Sequence, residues 1–261
     1  MPLGFHICLR LANDAILAAS PAHRRLLARV VLRQGRDASL LAFGQADNHL
    51  HLATACDRRL AGKCAHAVEV SARRRLALDA SFTPAFVKPI DDARHLYSTF
   101  RYVLQQRAHH GLDVDPLREA SNLPDLLGLR AIGAYTRANV RRLLPRVHRN
   151  ELLEILGVSE LTPGDGPLDQ VVDATLAAAA LPALAGLSLE VLAARCALVE
   201  VVGRQTTPAA LARRIGVSRR TLFRLRARRG DGELVRSIRL QLGLLARLPA
   251  ASAPPDAAFA E

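Results

Sequence analysis

Residues 39–54 read SLLAFGQADNHLHLAT, and the way this stretch folds decides the architecture around it. Residues 39–46 are apolar enough for a strand. Asp47-Asn48 is a turn pair, and HLHLAT at 49–54 alternates with period two, so a second strand returns antiparallel to the first. Side chains two apart in a strand point the same way. His49 and His51 therefore share one face, while Leu50 and Leu52 enter the core behind them.

Upstream, LGFHICLRL at 3–11 reads as a strand with Phe5, Ile7 and Leu9 on one face. PAHRRLLARVVLR at 21–33 is a helix started by Ser20-Pro21. Downstream, an Arg-rich helix is expected over 58–78, and FTPAFVKPI at 82–90 is a short edge strand limited by its prolines. Asp91-Asp92 caps a further helix that runs to about His110 and stops at Gly111. The order β-α-β-β-α-β-α predicts an α+β fold, a ferredoxin-like antiparallel sheet with helices packed on one face. Beyond Gly111 no strand pattern returns. Residues 1–115 are thus expected to form one domain. A helical connector follows over 116–167, broken by Pro124, Gly128 and Pro145 and ending in the linker TPGDGP at 162–167. Residues 168–248 form an all-helical C-terminal part, and 249–261 a flexible tail.

Half of the 261 residues are hydrophobic, enough for a real core and against global disorder. Aromatics make up only 4%, with no Trp, so that core must be mainly Leu, Val and Ala. The formal net charge is +12, nearly all from Arg, because Lys63 and Lys88 are the only lysines. A GC-rich genome would account for part of the Arg and Ala excess. It would not account for an uncompensated positive balance, which points to a polyanionic partner. The chain has no long uncharged apolar run and no basic-then-apolar leader, so a cytoplasmic, nucleoid-associated protein without a membrane partner is expected. Cys8, Cys56, Cys64 and Cys196 form no CxxC pair and read as reduced, mostly buried thiols.

Two imidazoles on one strand face can both reach one divalent ion if a third ligand approaches from a neighbouring element. RYVLQQR at 101–107 supplies it. Tyr102 and Gln106 are four apart on a helix and project from the same side. The Gln106 carbonyl oxygen can complete a metal shell, and the Tyr102 phenol can attack a phosphate that the metal polarises. Mg²⁺ or Mn²⁺ would suit the phosphate and amide oxygens. A phosphodiester resists attack mainly through its own charge, so cleavage needs neutralisation and in-line positioning. No dedicated base stands out: His109 and His110 lie about two turns beyond Tyr102, and His95 about two turns before it. Zinc is the competing arrangement. His49, His51, Cys56, Cys64 and His66 lie close in sequence, although in no usual knuckle spacing.

DNHLHLAT, then a helix, then RYVLQQR…HHGLDVDP resembles the HUH single-tyrosine (insertion-sequence-200-like) transposases. The likeness is closest to their REP-associated tyrosine transposase branch. Members carry an Asn-His-x-His core after a strand. Farther on, a Tyr-Ile-x-x-Asn-Pro segment runs into Ala-Gly-Leu and Asp-Pro. FHICLR and the helix after it sit where the family has its first strand and helix, so the resemblance covers roughly residues 3–130. It implies that His49 and His51 bind the metal, that Gln106 assists it, and that Tyr102 is the nucleophile. The product would be a covalent 5′-phosphotyrosine bond with single-stranded or hairpin DNA. Asp47 stands where the family usually has Pro, and Arg107 follows Gln106 where Pro is usual. These departures leave room for a domesticated or weakened enzyme.

Residues 207–229 read TPAALARRIGVSRRTLFRLRARR. Thr207 caps a helix, Pro208 takes its first position, and Leu211, Ala212 and Ile215 form its apolar face. Gly216 provides the turn, Val217 plugs the junction, and Ser218 caps a second helix carrying Leu222 and Leu225. This is a helix-turn-helix layout, similar to that of many bacterial regulators. Eight arginines and no acidic residue fall in the stretch. Arg213, Arg214, Ser218, Arg219, Arg220 and Arg224 are the candidate contacts to duplex DNA. A non-catalytic DNA-binding regulator on a domesticated transposase fold is the alternative function, and an RNA-binding protein a third. Tyr102 would act within its own chain or, in a homodimer, across it.

Overall fold

The computed structural model describes residues 1–106, 115, 117–203 and 205–247. Four strands, β1 (Gly4–Arg10), β2 (Leu40–Ala46), β3 (His49–Thr54) and β4 (Phe86–Ile90), form one antiparallel sheet in the order β2-β3-β1-β4. Helix α1 (Pro21–Gln34) joins β1 to β2, α2 (Arg58–Leu76) joins β3 to β4, and α3 (Ala93–Leu104) follows β4. Each helix starts where a side chain can satisfy an orphan amide: Ser20, Asp57 and Asp92 accept from the amides of His23, Leu60 and His95. The β2–β3 hairpin turns at Asp47, whose φ of 49° lies in the left-handed region that Asp tolerates. The fourth strand is shorter than its apolar run. Phe82 makes only an isolated bridge to Leu11, and the ladder begins after Pro84, which has no N–H to offer. Helix α3, expected to run to about His110, ends at Leu104 with Gln105 as its cap, and His109, His110, Gly111 and the tail at 249–261 lie outside the described residues.

The two faces of the sheet have different chemistry. Phe5, Ile7, Leu9, Leu50 and Leu52 pack with Leu27, Val31, Val68 and Ala72 of α1 and α2 in one core. The other face carries His6 and Cys8 of β1, His49 and His51 of β3, and the small residues Ala42, Gly44, Ala46 and Ala53. Helix α3 lies on that second face, so helices cover both faces rather than the single face expected. Small side chains make this possible. A Cβ on Gly44 would stand 2.2 Å from the Val103 carbonyl oxygen, so α3 rests directly on the β2 backbone. Phe100, Val103 and Leu104 then fill the second core with Ile90 and Leu41.

The segment after α3 closes the open edge of β2. The Asn122 side chain accepts from the Phe43 amide at 2.8 Å and donates to the Leu41 carbonyl at 3.0 Å, standing in for a neighbouring strand. The Gln45 amide donates to the Ala120 carbonyl. Beneath this lies a buried ionic network. Arg130 pairs with Asp125 and donates to the carbonyls of Glu119 and Ser121, while Arg25 pairs with Glu119 at 2.5 Å. Burial pushes the Asp125 and Glu119 carboxyls up, against the pull of Arg130 and Arg25. Short helices α4 (Leu123–Leu127), α5 (Ala134–Leu143) and α6 (Arg149–Leu156) follow.

The C-terminal part is helical: α7 (Leu168–Ala179), α8 (Leu189–Val202), α9 (Pro208–Arg214), α10 (Arg219–Arg226) and α11 (Gly232–Leu245). Its long helices pack on one another through Val171, Ala178, Leu198, Ile238 and Leu242. Leu240 and Leu244 of α11 also enter the core that holds Phe100 and Val103. The expected linker at 162–167 is therefore no free spacer. Thr162 and Gly164 press backbone to backbone on Gly243, where any Cβ would clash, and Arg247 binds Glu160 at 2.6 Å. Among the described residues no helix is long and apolar enough to cross a membrane.

Candidate functional site

Strand β3 and helix α3, far apart in the chain, converge on the histidine face. The His49 and His51 rings lie 4.9 Å apart at 81°. The Tyr102 ring meets His51 edge-on, with centroids 5.6 Å apart. Tyr102 is 40% exposed, whereas His51 is buried, so the phenol ring bridges solvent and the interior imidazole. Asn48 turns its Oδ1 to within 3.2 Å of His49 Nδ1. The tyrosine helix is anchored on its far side. Tyr97 donates to Glu151 of α6 at 2.6 Å, and Arg101 pairs with the same carboxylate at 3.3 Å.

A third histidine belongs to this cluster. His6 Nε2 is 2.9 Å from His51 Nδ1, the two rings stack at 5.1 Å, and the Tyr102 ring is 5.9 Å from His6. Burial, then the charge of Lys88, then that of His95, lower the His6 pKa to about 4, so it is neutral at physiological pH. Sequence reasoning missed His6. The signal was present as one polar position in the alternating run Phe5-His6-Ile7, but only the β1–β3 register makes it a diagonal neighbour of His51. Cys8 stands opposite His51, its thiol pushed up by burial.

His49, His51 and Gln106 are the donors that a divalent cation would draw on. Gln106 is fully buried, its Nε2 donates to the Tyr102 carbonyl, and its Oε1 has no hydrogen-bond partner among the described residues. Its Cβ lies 3.7 Å from where a Gly44 Cβ would be, and Gly44 is the cross-strand partner of His51. A buried carbonyl oxygen without a donor, on the sheet face that carries two imidazoles, is a ligand type that a borderline or hard cation takes. The zinc arrangement does not assemble. Cys64 is buried and Cys56 half-buried in the core on the opposite face of the sheet, away from His49 and His51. Among the described residues no group of three or more His, Cys, Asp or Glu could hold an ion.

The basic helix pair forms a second candidate surface. Thr207 and Ser218 cap their helices, accepting from the amides of Ala210 and Thr221. Gly216 takes φ +66°, and the amides of Gly216 and Val217 return to the carbonyls of Arg213 and Ala212, a Schellman ending for α9. Leu211, Ile215, Leu222 and Leu225 are buried, whereas Arg213, Arg214, Arg219, Arg220 and Arg224 are exposed. Arg214 is paired with Asp169 at 2.6 Å. Ser218 also faces Thr221 Oγ1 at 3.0 Å, so its hydroxyl serves the cap. Phe223, 58% exposed beside Arg224, is an aromatic that the sequence reading passed over.

Comparison with family models, curated proteins and solved structures finds no match to this chain. The functional assignment therefore rests on the geometry.

Proposed function

We propose that the protein is a metal-dependent DNA strand-cleaving and rejoining enzyme of the HUH single-tyrosine type. In this reading the sheet is ferredoxin-like, and α9 and α10 form a helix-turn-helix. The observation that carries the proposal is the approach of the Tyr102 and His51 rings to 5.6 Å from separate elements. The strand order β2-β3-β1-β4 and the tight glycine turn between two capped, arginine-rich helices support the two fold assignments.

His49, His51 and Gln106 would hold Mg²⁺ or Mn²⁺. Such an ion, when bound, supplies charge neutralisation at the phosphate oxygens. Tyr102 Oη attacks the phosphorus of single-stranded or hairpin-flanking DNA. The bond to the 3′-oxygen breaks, the 5′-phosphate remains on Tyr102, and the phenol proton is matched by one delivered to the leaving 3′-oxygen. A DNA hydroxyl then attacks the same phosphorus, breaks the phosphotyrosine bond and restores the phenol. Anchoring of α3 through Tyr97 and Arg101 to Glu151 keeps the nucleophile in line, which is where orientation contributes most to such a reaction.

The test is to incubate the full chain with labelled single-stranded and hairpin DNA and Mn²⁺. A covalent adduct that Tyr102→Phe abolishes is the expected result. DNA binding without any adduct would assign the protein to the non-catalytic regulators instead.

A further inference from the structure

The histidine face continues beyond the Tyr102 site. Helix α3 packs over β2 and β3, and on the β1–β4 half of that face Arg10, Phe86 and Lys88 are all exposed. The register fixes where they stand. Arg10 is opposite His49, Lys88 is opposite His6, and Phe86 is opposite Cys8, which is itself opposite His51. One row across the sheet therefore reads Gly44, His51, Cys8, Phe86. With neighbouring strands about 4.8 Å apart, Phe86 is about 10 Å from the His51 position.

An edge strand is normally blunted by charge and proline, and Lys88 and Pro89 do that for β4. Phe86 does the opposite. It is 62% exposed, on a strand whose inward-facing Val87 already packs against the core. An aromatic ring between two cations, on a stretch of sheet whose two strands contain no acidic residue, has the chemistry that single-stranded nucleic acid requires. Base faces stack on the ring, and backbone phosphates meet the cations.

We propose that Phe86, Arg10 and Lys88 form a platform for single-stranded DNA, with a base stacked on Phe86 and adjoining phosphates on the two cations. The strand reaches Tyr102 across β4 and β1. This rests on the assignment of Tyr102 as a DNA nucleophile, yet the platform can be tested without the chemistry.

The experiment uses the full chain and an oligo-dT carrying 5-iodouracil. Ultraviolet crosslinking and peptide mapping should identify Phe86. In fluorescence anisotropy, Phe86→Ala should weaken oligo-dT binding about 5- to 100-fold, and Phe86→Trp should retain it. Arg10→Ala and Lys88→Ala should each flatten the salt dependence by about 0.7 in log–log slope. Unchanged affinity in Phe86→Ala, or crosslinks that map elsewhere, overturns the platform. Loss of affinity in Phe86→Ala, in a protein whose Tyr102 forms no adduct, keeps the platform and removes the transesterase assignment. Adducts forming at the wild-type rate in Phe86→Ala with undiminished binding do the reverse.

Discussion

His6 Nε2 stands 2.9 Å from His51 Nδ1, so a half-buried imidazole stands against a buried one. Either ring can carry the bridging proton; with it on His51 Nδ1, His6 Nε2 accepts and the His51 lone pair lies on Nε2, where a metal would bind. His6→Leu removes the acceptor. It is expected to weaken Mn²⁺ binding about 10-fold or more, whereas His6→Gln, which keeps an acceptor, retains most of it. Calorimetric titration of the full chain with Mn²⁺ reads the affinity, and ¹⁵N shifts of His51 read the tautomer. Equal Mn²⁺ affinity in His6→Leu and wild type would refute the assignment.

Gly44 sets the height of the tyrosine helix. A methyl group there would fall 2.2 Å from the Val103 carbonyl, against backbone that cannot turn aside. Gly44→Ala should lift α3 from β2, move Tyr102 away from His51, and destabilise the fold by about 1–3 kcal/mol. Adduct yield per folded molecule should fall with it. A thermal melt separates the two effects, because a purely global loss of stability would spare the yield at low temperature.

The strands, the hairpin at Asp47-Asn48 and the helix starts at Ser20 and Asp92 were legible because each is a local pattern. The spacing of Tyr102 and Gln106 predicts one helical face, but α3 ends at Leu104, so Gln106 lies beyond it and is buried while Tyr102 is 40% exposed. His6 was not legible, because its nearness to His51 depends on which strand lies beside β3. Nor was the second layer of helix. Only the sheet register reveals that Ala42, Gly44, Ala46 and Ala53 make a strip shallow enough to seat α3. The segment 162–167 looks like a spacer from its glycines and prolines, yet Gly164 and Gly243 are there to let two backbones touch. Glycine marks both flexibility and close approach, and sequence does not separate them.

Arg130 is nearly solvent-free and joins Asp125, Glu119 and Ser121 into one network. Removing only the cation strands a buried carboxylate. Arg130→Met should therefore cost about 3–5 kcal/mol in chemical denaturation. The double variant Asp125→Leu/Arg130→Met should recover part of that loss, since no charge is then left unpaired. A double variant as unstable as the single one would mean that the carbonyl contacts, and not the ion pair, dominate.

Alkaline pH should unfold the protein through one buried and one half-buried acid. Burial raises the Cys64 thiol from 9.0 to about 12, and burial, with a smaller contribution from Asp125, pushes the Tyr135 phenol above its ordinary value. Both folded pKa values are raised, so their stabilisation is complete below the unfolded values and is lost as pH rises through the folded ones. Stability should decline from about pH 9 upward, by up to about 1.4 kcal/mol per pH unit for each group. Cys64→Ala should flatten the first part of that decline in pH-dependent melts. An unchanged slope would place the alkaline sensitivity elsewhere.

The arginines of the helix pair should not contribute equally to DNA binding. Arg214 is already paired with Asp169 at 2.6 Å, and any phosphate would have to displace that carboxylate. Arg219 and Arg220 open α10, where the helix dipole also favours an anion, and Arg224 follows one turn later on an exposed face. Each of these three, changed to Ala, should weaken duplex binding and reduce the log–log salt slope by about 0.9, the release of roughly one counterion. Arg214→Ala should move the slope by clearly less. Ser218→Ala should act differently again: it removes the cap of α10 at about 1 kcal/mol of stability, and it lowers affinity without changing the slope. Equal slopes for Arg214→Ala and Arg220→Ala would show that the Asp169 pair opens freely when DNA arrives.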